Sequence, residues 1–357
     1  MKDRIYVCHT YYHVYVTFLK ELTLPKEKRG QATLVLSRMS NDFECFGERA
    51  KTSGLFEQVL EYDEKKDTFF EELAPLKEDR GNIFFNMVSR IRFCRRFAEL
   101  QTQYVPVDFR QYKDIYVYCD SDPIGYYLNA NKIYYHALED GLNCLAYYDT
   151  ARFDNRGAFP VKAFLSKKCN LIFIQNGYGR YCKEMEVNDI SKIKLPCPYY
   201  KEVPRKDYVE ALGEEDKQII LKAFIKDYDS LTAALDSAQR EGKEKVLVLT
   251  EPLCDLETRV RIFKDIIKRY GKDAVVVLKP HPRDELDYEK FFGEYIRIDR
   301  TVPMEMLNFI PGVHFDKLIS VLTETAAIEF ATEKIKLGPD FMDEYEEPHI
   351  HRQNEQI

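Results

Sequence analysis

Short runs of β-branched and aromatic residues alternate with longer amphipathic segments along most of this 357-residue chain. Strands that alternate with helices are typical of βαβ units, in which successive strands are parallel. The sequence therefore predicts an α/β fold built on parallel sheets. The predicted strands cover residues 4–9, 32–37, 57–62, 114–119, 132–136, 170–174, 245–249, 274–278, 295–298 and 317–321.

Residues 193–205 contain three prolines and little periodicity, which indicates a connection between two halves. A chain of this length is expected to form about two domains. We predict two Rossmann-like domains, residues 1–195 and 196–357, whose parallel sheets face a central cleft. Because ligands of such sheets bind beyond the carboxyl ends of the strands, the residues that follow each strand are the candidates for function.

Composition excludes several classes of protein. The net charge of −7 disfavours a nucleic-acid partner. None of the nine cysteines forms a CxxC pair, which argues against a zinc site and favours reduced thiols in a cytoplasmic protein. The start lacks a signal-peptide pattern, and no apolar run approaches the roughly 18 residues of a spanning helix. No motif for nicotinamide binding, P-loop hydrolysis, α/β-hydrolase chemistry or zinc proteases is found, so we predict no metal ligand and no cofactor.

An acidic turn follows one predicted strand of the first half. Glu139, Asp140 and Gly141 come three residues after strand 132–136. Gly141 permits the positive φ of a tight turn. One carboxylate here would serve as a general base if burial or its like-charged neighbour raised its pKa from about 4. The same tripeptide would also suit an acidic turn in solvent.

A histidine between two prolines ends a strand of the second half. Lys279, Pro280, His281 and Pro282 follow the apolar run AVVVL. Each proline favours an extended conformation of the residue before it, so His281 is held stiffly at the edge of the sheet. An imidazole suits proton donation or neutralisation of a departing phosphate. The alternative is a half-buried histidine in a strand terminator.

Hydroxyl side chains follow two other strands of the second half. Thr250 ends strand 245–249, and the junction LISVLTETAAIEF carries Ser320, Thr323 and Thr325. We predict a helix that begins at Thr325. Hydroxyls and N–H groups at a helix N-terminus suit a phosphate, and ordinary N-capping is the alternative.

One acid lies in a short apolar helix predicted over residues 303–309. Glu305 of this segment would suit the hydroxyls of a ribose, or it is a surface acid. Neither reading can be chosen from the local pattern alone, because a single carboxylate among apolar residues is compatible with both.

The combination of these motifs resembles the bacterial sialyltransferases, and most closely glycosyltransferase family 52, the lipooligosaccharide sialyltransferases. The motifs that carry the resemblance are, in chain order, VCHTYYHV, YHALEDGL with its acidic turn, VLVLTEPL, the His-Pro pair at residues 281–282, PMEML and the hydroxyl-rich junction LISVLTETAAIEF. They are scattered over about residues 3–332, and their order across both halves is more specific than any one of them.

The resemblance implies a GT-B glycosyltransferase that uses CMP-sialic acid without a metal. Asp140 would then be the general base, and His281 would stabilise the departing CMP phosphate. Glu305 would bind the cytidine. Thr323 and Thr325 would replace the adjacent serines of the family at the phosphate, although Thr-Glu-Thr departs from that pattern.

Other residues are implied less directly. The resemblance places the remaining residues of the motifs against the nucleotide or substrate, namely Glu139, Gly141, Thr250, Lys279, Pro282 and Ser320. It places three residues of the opening motif on the acceptor side, namely His9, Thr10 and His13. The implied domain roles are an acceptor side for residues 1–195 and CMP binding for residues 196–357.

The implied partners are a nucleotide-sugar donor and a glycan or glycolipid acceptor. The resemblance also implies a homodimer and peripheral association with the inner face of the cell membrane. The basic and aromatic segment 87–100 would suit an anionic lipid surface, or it packs in an interface.

Two other functions remain open at this stage. Teichoic-acid glycerophosphotransferases, which use CDP-glycerol, share a KPHP-like motif with residues 279–282. The acidic turn at residues 139–141 favours the sialyltransferase over that class. The second alternative is an inactive relative that binds a nucleotide sugar, for which the departure at residues 323–325 is the sequence hint.

Overall fold

The structure of the chain is a computed structural model that describes residues 1–39, 42–118, 120–140, 150–226, 228–240, 242–310, 313–325 and 328–351. The chain divides into two compact units, Met1–Asp216 and Lys217–Ile357. This division differs from the boundary predicted at residues 195 and 196. The proline-rich segment adds strand β7 to the first sheet, so it belongs to the first unit rather than between the two.

The first unit contains a seven-stranded parallel sheet in the order β3-β2-β1-β4-β5-β6-β7. Its strands are β1 (Lys2–Cys8), β2 (Ala32–Ser37), β3 (Phe56–Tyr62), β4 (Tyr112–Tyr118), β5 (Tyr135–Leu138), β6 (Cys182–Val187) and β7 (Tyr200–Glu202). The α-helices of this unit are α1 (Tyr11–Leu22), α2 (Phe46–Thr52), α3 (Ala74–Lys77), α4 (Ile83–Gln101), α5 (Pro123–Ala130), α6 (Thr150–Asp154), α7 (Phe159–Lys167) and α8 (Arg205–Glu210).

The centre of the first sheet is apolar. Val7, Val35, Val117 and Ala137, from four adjacent strands, are fully buried in one core cluster. Strands of a parallel sheet that is covered on both faces are expected to be apolar throughout. The strand order reverses between β1 and β4, which places a crevice at their carboxyl ends.

The second unit contains a five-stranded parallel sheet in the order β10-β9-β8-β11-β12. Its strands are β8 (Lys245–Leu249), β9 (Val275–Lys279), β10 (Ile296–Arg297), β11 (Phe315–Ser320) and β12 (Ala331–Lys336). Helix α9 (Glu214–Phe224) contains the division between the units, and the helices that follow are α10 (Tyr228–Arg240), α11 (Leu256–Tyr270), α12 (Tyr288–Phe292), α13 (Gly338–Met342) and α14 (Pro348–His351). Here the strand order reverses between β8 and β11. The predicted α/β class with two parallel sheets is confirmed.

Three local predictions are wrong. Residues 170–174 form no strand, although Ile172, Phe173 and Ile174 are buried. Their apolar character reflects burial in a loop that packs against Cys94 and Tyr178. The structure has strands in three places where none was predicted, at β6, β7 and β12. No helix begins at Thr325 in the described residues: residues 321–325 and 328–330 are irregular, and β12 begins at Ala331.

The basic segment 87–100 lies within helix α4. Residues Ile83, Phe84 and Phe85 of the same helix are 79%, 69% and 59% exposed. Among the helices in the described ranges, none combines the length and the apolar character that crossing a bilayer requires.

Candidate active site

Asp140 lies at the carboxyl end of β5, where helix α1 brings a histidine against it. Thr10 caps α1, and its side-chain oxygen accepts a hydrogen bond from the backbone N–H of His13 at 3.2 Å. His13 is fully buried, and its Nε2 is hydrogen-bonded to Oδ1 of Asp140. The Asp140 side chain is 43% exposed, so this carboxylate is fixed from one side and open to solvent from another.

The hydrogen bond at Nδ1 of His13 shows which ring nitrogen carries the proton. The backbone N–H of His9 donates to Nδ1 of His13 at 3.1 Å, so the proton of the neutral ring is on Nε2 and points at Asp140. Burial lowers the pKa of His13, although Asp140 opposes this effect. The ring also stacks on Tyr118, with centroids 4.4 Å apart. His13 therefore acts as a neutral, rigid donor that orients the Asp140 carboxylate.

A second charged group lies beside this pair: His9 was expected on the acceptor side, whereas its partners Glu64 and Asp122 were missed in the sequence. Nε2 of His9 lies 2.9 Å from the buried Glu64 carboxylate and 3.4 Å from Asp122. Burial opposes the charged form of His9, but Glu64, Asp122 and Asp140 together outweigh burial and raise the pKa of His9. Burial raises the pKa of Asp122 to about 7. Because His9 follows β1 and Asp122 follows β4, this cluster lies at the reversal of strand order.

Glu139, the neighbour of Asp140, is buried, and its carboxylate accepts a hydrogen bond from the backbone N–H of Asn188 at 2.7 Å. Burial raises its pKa. The contact ties the exit of β5 to the exit of β6, which gives Glu139 a structural role. Its predicted contact with substrate stays a prediction. Gly141 lies outside the described residues.

A cavity of about 710 Å³ opens near the exit of β4 in the first unit. Its lining includes Ser121, Tyr126, Asp154 and Gln175. The Gln175 amide donates to Asp154 at 3.0 Å, so the polar side chains of this wall are held in place. Aromatic and amide groups together suit a polar organic ligand.

In the second unit, His281 lies at the carboxyl end of β9. Its Nδ1 accepts a hydrogen bond from the backbone N–H of Arg283 at 3.1 Å, so the proton of the neutral ring is on Nε2. Burial lowers the pKa of His281, and Arg283 and Lys279 add to this effect. His281 is thus a neutral, half-buried donor whose Nε2–H is suited to an anionic oxygen.

A buried ion pair supports the turn that carries His281. Asp284 accepts from Arg259 at 2.6 Å and from the hydroxyl of Tyr288 at 2.7 Å. Arg259 also donates to the backbone oxygens of Leu253 and Cys254. These bonds tie the loops after β8 and β9 together.

Lys279 and Glu305 lie near each other at the same edge. The Lys279 ammonium is buried and donates to the backbone oxygens of Pro280 and Arg300 at 3.0 and 3.2 Å. Its charge acts on Glu305, whose side chain is exposed. Pro282 follows His281 in the turn and is exposed.

The residues predicted to bind the phosphate are arranged differently from the expectation. The backbone N–H groups of residues 321–323 donate to the Glu251 carboxylate and not to solvent. Ser320 is buried and its hydroxyl donates to the backbone oxygen of Thr323 at 2.9 Å. Thr323 is exposed, whereas Thr325 and Thr250 are buried. The structure therefore brings these residues to one edge but exposes only the Thr323 side chain.

Replacing Lys279 by Met tests the cost of this buried charge. Burial lowers the pKa of Lys279 to about 8, against about 10.4 in an unfolded chain. Below pH 8 the ammonium is charged in both states and its burial costs stability; as the pH rises from 8 to about 10.4 this cost disappears. We expect Lys279→Met to raise the free energy of unfolding at pH 7 by about 1–3 kcal/mol, since two carbonyls lose a donor and offset part of the gain.

Urea unfolding at pH 7 and pH 9.5 measures this effect, with the exposed Lys290→Met as the matched control. The increase in the free energy of unfolding that Lys279→Met causes should be smaller at pH 9.5 than at pH 7. A less stable variant at pH 7, or a difference that does not change with pH, would contradict the expectation.

Comparison with known proteins agrees with the family predicted from the motifs. The family model of Glycosyltransferase family 52 matches residues 60–338, well over half of the chain. A protein of Haemophilus influenzae described as uncharacterized is 31% identical over 97 residues, which are 26% of this chain and 31% of that protein. This alignment thus spans less than a third of the length of the curated relative.

Two solved structures are similar to this chain over most of its length. An α/β-galactoside α-2,3-sialyltransferase from Photobacterium phosphoreum is 12% identical with a TM-score of 0.48, over 89% of this chain and 85% of that one. The GT-B domain of a sialyltransferase from Photobacterium damselae is 11% identical with a TM-score of 0.48, over 90% of this chain and 86% of that one. On the match of the family model, this chain belongs to glycosyltransferase family 52.

Proposed function

We propose that this glycosyltransferase is an inverting, metal-independent sialyltransferase. It moves a sialic acid from CMP-sialic acid to a galactoside end of a bacterial surface glycan, such as a lipooligosaccharide or a capsule. The observation that carries the proposal is the Asp140 carboxylate, which is oriented by the neutral His13 and is open to solvent at the carboxyl edge of the first sheet.

The reaction needs one base and one site for a departing anion. Asp140 accepts the proton of the acceptor hydroxyl. At the same time the oxygen of that hydroxyl forms a bond to the anomeric carbon of the sialic acid. The bond from that carbon to the CMP phosphate breaks, and the phosphate leaves with the bonding electrons. His281 donates its Nε2–H to the phosphate and so stabilises the negative charge. A single in-line displacement inverts the anomeric centre.

The remaining groups are assigned by unit. In the second unit, Lys279 and Thr323 complete the surroundings of the phosphate, and Glu305 binds the cytidine. In the first unit, the cavity at the exit of β4 receives the acceptor glycan, because it is lined by polar and aromatic side chains that suit sugar hydroxyls.

The direct test is the release of CMP from CMP-Neu5Ac, with and without lactose, in excess EDTA. Release that increases with lactose supports the donor, the transfer and the independence from metal together. Release without stimulation supports the donor but contradicts a galactoside acceptor of this kind. No release would contradict the proposal; preferential binding of CDP would then favour the glycerophosphotransferase alternative.

Replacing His281 by Ala should remove the donor to the departing phosphate. We expect the kcat to fall by about 10²–10³-fold, as for the loss of one donor to a developing anion, and the KM for the donor to rise. Steady-state kinetics measure both. His314→Ala is the matched control, because His314 is an exposed histidine of the same unit. Unchanged kinetics of His281→Ala would contradict its assigned role.

The acceptor class also favours contact of helix α4 with a membrane surface. Its first turn exposes Ile83, Phe84 and Phe85, and Arg92 and Arg95 further along are exposed. An apolar end next to basic side chains suits an anionic bilayer. We expect the protein to float with anionic vesicles at low salt, and Phe84→Ser to weaken this. No salt-sensitive flotation of the wild type would contradict the contact.

A further inference from the structure

The crevice between β8 and β11 is where a nucleotide phosphate is expected in the second unit. The strand order reverses there, and ligands of open parallel sheets bind at such a reversal. Successive backbone N–H groups that point to one spot form a concave anion site, and residues 321–323 form one directly after β11. In many nucleotide-binding folds these N–H groups contact the phosphates.

Here that anion site is already filled by a side chain of the protein. Oε1 of Glu251 accepts from the backbone N–H groups of Val321, Leu322 and Thr323 at 2.9, 3.0 and 3.1 Å. Oε2 also accepts from Leu322, at 3.1 Å. Glu251 follows β8 and is only 6% exposed. Both carboxyl oxygens of Glu251 thus accept hydrogen bonds from backbone donors.

Charges of both signs surround His281. Lys279 and Arg283 contribute positive charge, whereas Glu251 and Asp284 contribute negative charge. The Asp284 charge is neutralised by Arg259. The Lys279 ammonium donates to two backbone oxygens, and His281 is neutral. Arg300 also reaches this turn and donates to the backbone oxygen of Asp284 at 3.3 Å. A phosphate beside His281 can use these cations, whereas a second phosphate placed in the crevice would meet the Glu251 carboxylate.

We propose that Glu251 makes this edge selective for a cytidine nucleotide with one phosphate over one with two. The carboxylate withholds three backbone N–H groups from the ligand and repels additional negative charge. This inference rests on the proposed function and adds to it, because it explains how a CMP-linked donor is distinguished from diphosphate-linked donors.

Calorimetric titration of the full chain with CMP and with CDP tests the inference. We expect the wild type to bind CMP at least about tenfold more tightly than CDP, which is the size expected for one unit charge a few Å away and partly screened. Glu251→Gln keeps an oxygen that accepts from the three N–H groups but removes the charge. Glu251→Gln should reduce the ratio of the affinities for CMP and CDP by at least about fivefold.

The matched control is Glu244→Gln. Glu244 lies before β8, at the opposite end of the strand, and pairs with Lys317. This substitution changes the net charge of the unit by the same amount and should leave the preference unchanged. The inference is overturned if the wild type binds CDP as tightly as CMP, or if Glu251→Gln and Glu244→Gln have the same preference as the wild type.

A measurement on the wild type keeps the inference testable if Glu251→Gln does not fold. Inorganic phosphate and pyrophosphate are compared as competitors of CMP at matched ionic strength. Pyrophosphate should compete no better than phosphate, and much stronger competition by pyrophosphate would overturn the inference. If the wild type binds neither nucleotide, both the proposed function and the inference fail. If it prefers CMP but Glu251→Gln has no effect, the inference alone fails.

Discussion

Asp140→Asn is expected to lower the rate of transfer by about 10²–10⁴-fold, the range for loss of a positioned general base. The amide is nearly the same size as the carboxylate and can still accept the hydrogen bond from His13, so the turn should keep its conformation. It cannot take a proton from the acceptor hydroxyl. CMP binding should persist, since the residues assigned to the nucleotide lie in the second unit.

Asp63→Asn is the matched control for this experiment. Asp63 follows β3 in the same unit, and its side chain is 69% exposed and pairs with Lys65. Transfer rates from CMP release and calorimetric affinities for CMP are measured for both variants. Near-normal turnover of Asp140→Asn would show that another group is the base. Loss of CMP binding together with activity would point to a folding defect.

Asp284→Ala is expected to destabilise the second unit by about 3–5 kcal/mol, because it leaves Arg259 as a buried charge without its partner. The side chains concerned are 8% and 0% exposed. The substitution also removes the acceptor of the Tyr288 hydroxyl. Because His281 lies in the same turn, the variant should lose donor binding at temperatures where the rest of the chain is folded.

Urea unfolding followed by intrinsic tyrosine fluorescence and by circular dichroism measures the stability. Two units need not unfold together, so the transition assigned to the second unit is the one to compare. Glu244→Ala is the control: its pair with Lys317 is partly exposed, and such pairs contribute about 0–1 kcal/mol. Equal effects of the two substitutions would contradict the importance of the buried pair.

The parts of the fold that could be predicted are those with strong local signals. Helix α11 has strong local signals at both ends, because Asp255 caps its start, accepting from two backbone N–H groups, and Gly271 ends it. Strand β8 has the predicted bounds, since an apolar run of five residues between polar ones is distinct. Strand β6, by contrast, was missed because its sequence CKEMEV alternates charged and apolar residues weakly.

The contacts that build the candidate site could be predicted only in part. The turn at Asp140 and the histidine at 281 could be found, because the sequence motif and the strand end coincide. The partners Glu64 and Asp122 could not, since they lie 55 and 113 residues from His9 and carry no local pattern. The contact of Glu251 with the backbone N–H groups of residues 321–323 could not be predicted either. Only the tertiary fold shows which acceptor these N–H groups contact.

The order of the first sheet has a consequence for synthesis of the chain. Strand β1 lies between β2 and β4, and its partner Tyr112 follows Lys2 by 110 residues. At about 5–20 residues per second, a ribosome makes β4 about 5–20 s after β1. In that interval β1 can pair with β2 on one side, while its other edge, with the apolar Ile5 and Val7, has no partner. We therefore expect nascent chains shorter than about 110 residues to be held by chaperones, and translation pauses before β4 to favour aggregation over assembly of the sheet.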